Sequence, residues 1–275
     1  MTRLVRDDIY EIKESIRKYD KEIFYKQTGC TMSQVARIAA GVHTEENPFS
    51  VATVTVTSGL GEISGFADTN TAILKHCGID AVTMQKTDVA GIQEAFESGR
   101  DLIMMADDDI FSIFGAGVKV QSDNGDATGR SYAAALIEAI KNRHLAILGQ
   151  KILVLGAGPV GEAACDYIAK AGAVPCIFDL DTAKARALCE KNTKAELIER
   201  LDSYLDFKYI LDASTAKELI DEKDVTEETI ISAPGVPCIA TKKACEKATV
   251  IHNPLELGTI AMYYQCVGQM KESVG

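Results

Sequence analysis

No stretch of the 275 residues approaches the roughly 20 consecutive apolar positions of a membrane-spanning helix, so the chain reads as soluble. The apolar core of a secretory leader is missing too. Arg3, Arg6, Asp7 and Asp8 crowd the start, which points to the cytoplasm. Positive charge is scarce: 29 Lys and Arg stand against 40 Asp and Glu, giving a net charge of −11 and a pI near 4.9. Without a basic cluster to neutralise phosphates, nucleic acid and anionic lipid are excluded as partners, and a cationic small molecule would be favoured. Histidine numbers only 4, and the 8 cysteines (30, 77, 165, 176, 189, 238, 245 and 266) form neither a CxxC pair nor a Cys/His ligand cluster. They read as buried, reduced thiols, and no metal site is expected. Internal repeats, low-complexity tracts and coiled-coil heptads are also absent.

The most specific local signal lies at residues 151–161, KILVLGAGPVG, an apolar β-run opening directly into GxGxxG. Gly156 lets the backbone turn out of the strand, Gly158 admits a pyrophosphate where a Cβ would block it, and Gly161 lets the next helix pack on the sheet. Ala157, Pro159 and Val160 complete the loop, whose N–H groups and helix dipole favour phosphate. Asp179 ends a second apolar run (174–178), 18 positions after the third glycine. A carboxylate there accepts a ribose 2′-OH and repels a 2′-phosphate, so NAD is the expected cofactor. Lys184 and Arg186 nearby are the features that could favour NADP instead.

Two segments of different rhythm flank residues 129–149. Up to about residue 120, apolar runs alternate with helical ones: 52–57 then 67–77, 81–84 then 89–98, and 102–106 followed by a polar turn. This predicts a small α/β layer of parallel strands linked by crossover helices. Ahead of it, helices over about 5–19 and 32–40 carry Ile9, Ile12, Ile16 and Tyr19, then Val35 and Ile38, at helical spacing. A long helix over about 130–148 leads through Gly149 into the nucleotide-binding unit. Further strands at 209–213, 229–232 and 249–252 end in Ser214 and Thr215, in Pro234 and Gly235, and in Asn253 and Pro254. Ligands of open parallel sheets lie outside the carboxyl ends of the strands, which makes these tips candidate cofactor contacts. A helix from Gly258 to about Met270 should return to the first layer.

The expected fold class is therefore α/β: a C-terminal Rossmann dinucleotide-binding domain (150–256) preceded by a smaller helical plus α/β domain (1–128). A connecting helix (129–149) joins them, and 257–275 form the returning helix.

The chemistry must face the cofactor across the cleft. At 104–109 an apolar strand ends in Asp107, Asp108 and Asp109. One reading has these carboxylates capping the turn or solvated. The other has Asp107 or Asp108 gripping, and deprotonating, a cationic amine whose carbon gives up a hydride. The His/Asp and Tyr/Lys pairs of many alcohol-oxidising NAD enzymes are absent. Thr57, Ser58, Gly59, Leu60 and Gly61 form a second polar tip, either a plain turn or a set of hydroxyl and N–H donors.

The strings VTSGLGEISGF (56–66), IMMADDDIF (103–111), VLGAGPVG (154–161), SAPGVPC (232–238) and NPLELGTIAM (253–262) together resemble the pyrrolysine-biosynthesis dehydrogenase family, PylD, over about residues 4–266. The resemblance implies NAD-dependent oxidation of the terminal amine of methylornithyl-lysine to an imine and aldehyde, followed by pyrroline ring closure. It implies a cationic amino-acid-derived substrate held by Leu4, Thr57, Ser58, Phe66 and Asn253 beneath the first helix, and it is compatible with a homodimer. The family pattern has Glu before the proline at 254, where this chain has Asn253; Glu256 is a displaced stand-in. Two alternatives remain open on the residues: another NAD(P)-dependent amino-acid, shikimate-type or methylene-folate dehydrogenase of the same plan, and a non-catalytic NAD-sensing protein. The lack of a catalytic lysine in the first domain counts against the former, and strand-tip carboxylates would serve no purpose in the latter.

Overall fold

The computed structural model describes residues 4–61 and 63–272. It begins with helices whose apolar positions face inward: α1 (Arg6–Ile9), α2 (Ile12–Lys18), a π-helical stretch Tyr19–Phe24 and α3 (Tyr25–Thr28), with Ile9, Ile12, Ile16 and Phe24 buried. The single helix expected over 5–19 is thus broken after Ile9 and extended beyond Lys18. A buried polar link holds the π-helical stretch: Asp20 accepts the Met32 N–H at 2.7 Å and bonds His76 Nε2 at 2.8 Å. Gly29, at φ 73°, ends the run. Thr31 and Gln34 then form a reciprocal capping box at the start of α4 (Met32–Ala39).

The first sheet is built from β1 (Val51–Thr55), β2 (Ala81–Thr87), β3 (Leu102–Ala106), β4 (Phe111–Gly115) and β5 (Gln121–Asp123) in the order β2-β1-β3-β4-β5. Helix α5 (Phe66–His76) links β1 to β2 and α6 (Asp88–Glu97) links β2 to β3. These crossovers make β2, β1 and β3 parallel as expected. The sheet also gains β4 and β5, two antiparallel strands beyond the three expected parallel ones. After Ala106 the chain has no crossover but a tight turn, closed by the Asp107 N–H on the Ile110 carbonyl at 2.9 Å, and a tight turn can only return the strand antiparallel.

Helix α7 (Asn124–Asn142) starts 6 residues before the expected 130. Asp123 caps it by accepting the N–H groups of Gly125 (2.8 Å) and Asp126 (3.1 Å). Gly125 and Gly129 look like turn residues in the sequence yet lie inside this helix. A Cβ on Gly129 would run into the Val160 carbonyl, so glycine is what lets α7 lie against α8 (Pro159–Lys170).

The second sheet comprises β6 (Lys151–Leu155), β7 (Val174–Phe178), β8 (Glu196–Leu197), β9 (Tyr209–Asp212), β10 (Ile230–Ser232) and β11 (Thr249–Ile251). All are parallel, in the order β11-β10-β9-β6-β7-β8, the doubly wound Rossmann arrangement with its switch point between β6 and β9. Helices α9 (Thr182–Lys191) and α10 (Lys242–Lys247), together with β8, are additions that the sequence rhythm did not reveal. Alternation sorts the strands: Ile152 and Val154 join the apolar cluster that contains α7 residues, whereas Leu153 and Leu155 pack with Ile210, Ile231 and Ala244. The final helix, α11 (Glu256–Glu272), returns against α4, α5 and α7. Of the cysteines, Cys165, Cys176 and Cys266 are buried, but Cys245 is exposed and the other four are partly so; all are free thiols.

Candidate cofactor and substrate site

The glycine loop divides its labour between folding and binding. Gly156 has φ 98°, and a Cβ there would stand 2.7 Å from the Ala213 carbonyl oxygen, while one on Gly161 would collide with the Gly156 carbonyl. Both glycines are demanded by the chain itself. Gly158 is different: it caps α8 in extended geometry, and a Cβ there would meet nothing within 4 Å. Space is therefore left above Gly158, beside a helix start with no side-chain cap, which is what a pyrophosphate requires. Pro159 at the first helical position costs nothing, because that N–H would be unpaired anyway. Asp179, just after β7, accepts the Ala157 N–H at 2.7 Å and the Asp181 N–H at 2.8 Å, so it braces the loop and keeps lone pairs for a further donor. Lys184 and Arg186 are directed elsewhere, to Asp181 (3.9 Å) and Glu199 (2.8 Å).

Ser58, Phe66, Asp107 and Asp108 come together around a depression at the carboxyl edges of β1 and β3, floored by Val54 and Ile63. Phe66 packs edge-on against Phe111, ring centroids 5.1 Å apart. Both carboxylates have structural duties. Asp107 Oδ1 accepts the Ile110 N–H at 2.7 Å and the Asp109 N–H at 2.9 Å, and these bonds hold its pKa below the usual carboxylate range. Asp108 Oδ2 accepts the Leu60 N–H at 2.7 Å. It lies so close to Gly59 (φ 71°) that a Cβ there would strike the carboxylate. Thr57 is turned to Asp88, whose carboxylate takes its N–H (2.8 Å) and Oγ–H (2.6 Å). The loop at 57–61 is thus tethered from both sides.

The two layers meet at the residues following β11. Asn253 is buried and its Oδ1 accepts the Leu257 N–H at 3.0 Å, capping α11; its Nδ2 has no hydrogen-bond partner. The Tyr132 hydroxyl donates to the Asn253 carbonyl, and the Tyr19 hydroxyl to the His252 carbonyl at 3.0 Å. Glu256, in the first turn of α11, is only 4% exposed; burial raises its pKa, and its Oε2 accepts the Leu255 N–H at 3.2 Å. Leu4 packs against the same core, partly buried.

Residues 8–117 match the family described as Pyrrolysine biosynthesis protein PylD, N-terminal domain. The pyrrolysine synthase of Methanosarcina barkeri is 28% identical over 268 residues, spanning 96% of this chain and 97% of that one. The match to the PylD amino-terminal domain and the similarity to pyrrolysine synthase thus fall on the same chain, the latter along almost its whole length. Among solved structures, the quinate dehydrogenase from Corynebacterium glutamicum in complex with NAD superposes with a TM-score of 0.51 at 14% identity, over 82% of this chain and 98% of that one. The FolD methylenetetrahydrofolate dehydrogenase/cyclohydrolase from Campylobacter jejuni gives 0.51 at 10% identity, over 99% of each chain. At such identities the likeness is one of fold.

The anticipated contacts do not all gather in one place. Gly156 to Gly161 form the glycine loop, and Asp179 braces it through the Ala157 N–H. Ser214, Thr215, Pro234 and Gly235 lie in the turns after β9 and β10, where a Cβ on Gly235 would stand 3.3 Å from the Ser214 carbonyl oxygen. Ser58, Phe66, Asp107 and Asp108 share the depression described above, whereas Asn253 belongs to the junction and Thr57 to the tether. Sequence reasoning missed Asp212, Tyr19 and Tyr132. The two tyrosines look like ordinary core positions on helices; the signal for Asp212 was an acid closing an apolar strand.

Proposed function

We propose that the chain is an NAD-dependent dehydrogenase that oxidises the terminal primary amine of methylornithyl-lysine, leading through an imine and aldehyde to the pyrroline ring of pyrrolysine. Similarity to the PylD amino-terminal domain and to pyrrolysine synthase supports a role in pyrrolysine biosynthesis, and the observation that carries the chemistry is Glu256. A carbon bearing nitrogen releases a hydride only after its ammonium has lost a proton. Glu256 is a carboxylate withdrawn from water with its proton affinity raised, at the seam between the two layers. Asp107, held as an anion by two N–H groups, is a weaker base but a good anchor for positive charge. We therefore assign Glu256 to proton removal, and Asp107 with Asp108 to the negative rim that draws in the cationic substrate.

Bound NAD supplies the hydride acceptor. Support for NAD over NADP comes from Asp179, free to take a ribose hydroxyl, and from the engagement of Lys184 and Arg186 with other carboxylates. The chain's remaining work is positioning and exclusion of water. Phe66 and Ile63 give aliphatic carbons an apolar bed beside the acidic rim, while Ile9 of α1, with Leu4 ahead of it, packs into the same apolar cluster as Leu255 and Leu257. Incubation of the purified protein with NAD and synthetic lysyl-ornithine amides tests this, read by NADH absorbance and mass spectrometry. The expected products are NADH and a species lighter by the hydride, a proton and ammonia, with the ring closed. Turnover of a hydroxy acid or a folate in place of the amine would refute the assignment.

A further inference from the structure

Asp212 closes β9 and pairs in register with Leu155 at the end of β6, on the two strands that flank the switch point of the second sheet. It is fully buried. One oxygen, Oδ1, accepts the Ser214 N–H at 3.0 Å and the Ser214 Oγ–H at 2.6 Å. The other, Oδ2, is buried with no hydrogen-bond partner, and the next strand tip lies over it: a Cβ on Gly235 would stand 3.6 Å away. The titratable groups that face it are Tyr204, from the 3-10 turn before β9, and Cys238, from the loop after β10, neither of them cationic. Burial pushes Asp212 up to about 6.

A turn cap does not need this arrangement. The amide oxygen of an asparagine would accept the same two bonds without stranding a second anionic oxygen in a low-dielectric interior, where an unpaired charge is costly. A charge kept at such a place is complemented by something that arrives later. In open parallel sheets the arriving ligand lies outside the carboxyl ends of the strands, at the switch point. We infer that Asp212 is the buried counter-charge of the oxidised, cationic nicotinamide ring and sets the protein's preference for NAD+ over NADH. This rests on the NAD reading above. Asp212 acts through space, beneath the 213–216 and 233–237 turns, and touches neither substrate nor the reacting carbon.

The sign follows from the two protonation states. The anionic carboxylate favours the cationic ring and is indifferent to the neutral dihydropyridine, so relative affinity for NAD+ falls as pH drops through about 6. By reciprocity, NAD+ binding expels a proton from Asp212 and NADH binding does not. Dissociation constants for NAD+ and NADH, measured by titration at about pH 5 and about pH 8, test this. The NADH-to-NAD+ ratio of Kd should be at least roughly tenfold larger at the higher pH, the effect of one charge acting from about 12 Å or nearer at an effective dielectric near 20. Asp212→Asn should flatten that dependence. His252 and Glu256 also titrate at this end of the sheet, so His252→Gln and Glu256→Gln are measured in parallel. A slope that survives Asp212→Asn but disappears in either of these overturns the inference. Should Asp212→Asn fail to fold, calorimetry of the natural chain near pH 6, in buffers of different ionisation enthalpy, decides: proton release with NAD+ alone supports it, and equal release with both forms overturns it. Failure of both dinucleotides to bind would instead strike the NAD reading itself.

Discussion

Alanine at Gly158 and alanine at Gly161 separate what the glycine loop does for a ligand from what it does for the fold. At Gly158, with φ −82° and nothing within 4 Å of a new Cβ, the substitution meets no strain and no neighbour. The gain from a stiffer unfolded chain, about 0.4–1 kcal/mol, is opposed by the preference for Gly over Ala at a helix N-cap, so stability should hardly change. The methyl group instead takes space intended for the pyrophosphate. Overpacking of that kind costs about 1–3 kcal/mol, a weakening of roughly fivefold to a hundred-and-fiftyfold in cofactor Kd. At Gly161 the same methyl group runs into the Gly156 carbonyl, whose own position is fixed by contact with Ala213. Neither side is a flexible side chain, and a loss of about 3 kcal/mol or more is expected, which in a chain this long lowers Tm by several degrees. Thermal melts without ligand, alongside cofactor titrations, give both numbers. Wild-type affinity in Gly158→Ala, or a wild-type Tm in Gly161→Ala, would refute the division.

Asp179→Ala should weaken NAD while improving NADP, so the ratio of the two dissociation constants moves toward one; equal affinities in the natural protein would already contradict the role. Glu256→Gln should lower kcat by about a hundredfold to ten-thousandfold, the range for a positioned base. Burial raises the pKa of Glu256, so its ionisation subtracts from stability: that stability is complete below the unfolded carboxylate pKa and is lost as pH rises through the folded one. The Gln variant should therefore melt higher than wild type near neutrality, and the gap should close as the solution is acidified. Asp107→Asn should raise KM for the cationic substrate several-fold with little change in kcat; a collapse of kcat would return the base to Asp107.

Much of this organisation is legible in the residues because it is local. KILVLGAGPVG marks both a strand and its turn, and the spacing to Asp179 marks the second strand, so the Rossmann half is legible from the chain alone. What escaped depended on partners distant in sequence. Strand β4 follows three carboxylates and reads as a polar turn until Asp107 is seen closing a hairpin with Ile110. The start of α7 is hidden by Gly125 and Gly129, which make sense only beside α8. In the site, the acidic strand tip was visible, but not that Asp107 and Asp108 are already bonded to backbone N–H groups. Nor could alternation show that Asp212 would be sealed beneath Gly235, since that requires knowing which strands lie side by side.

Helix α7 is shared property. Its buried residues, from Ala127 through Tyr132 and Leu136 to Ile140, belong to one continuous apolar cluster that also takes in Val51, Leu102 and Met104 from the first sheet and Ile152, Val154 and Leu211 from the second. Neither sheet can shed this helix without exposing the interior of the other, and α11 ties the same cluster together from the far end. The two layers thus share one continuous apolar core. Heat should melt both halves in one transition, and a ligand held by the glycine loop alone should carry the amino-terminal layer to the same higher melting temperature as its own.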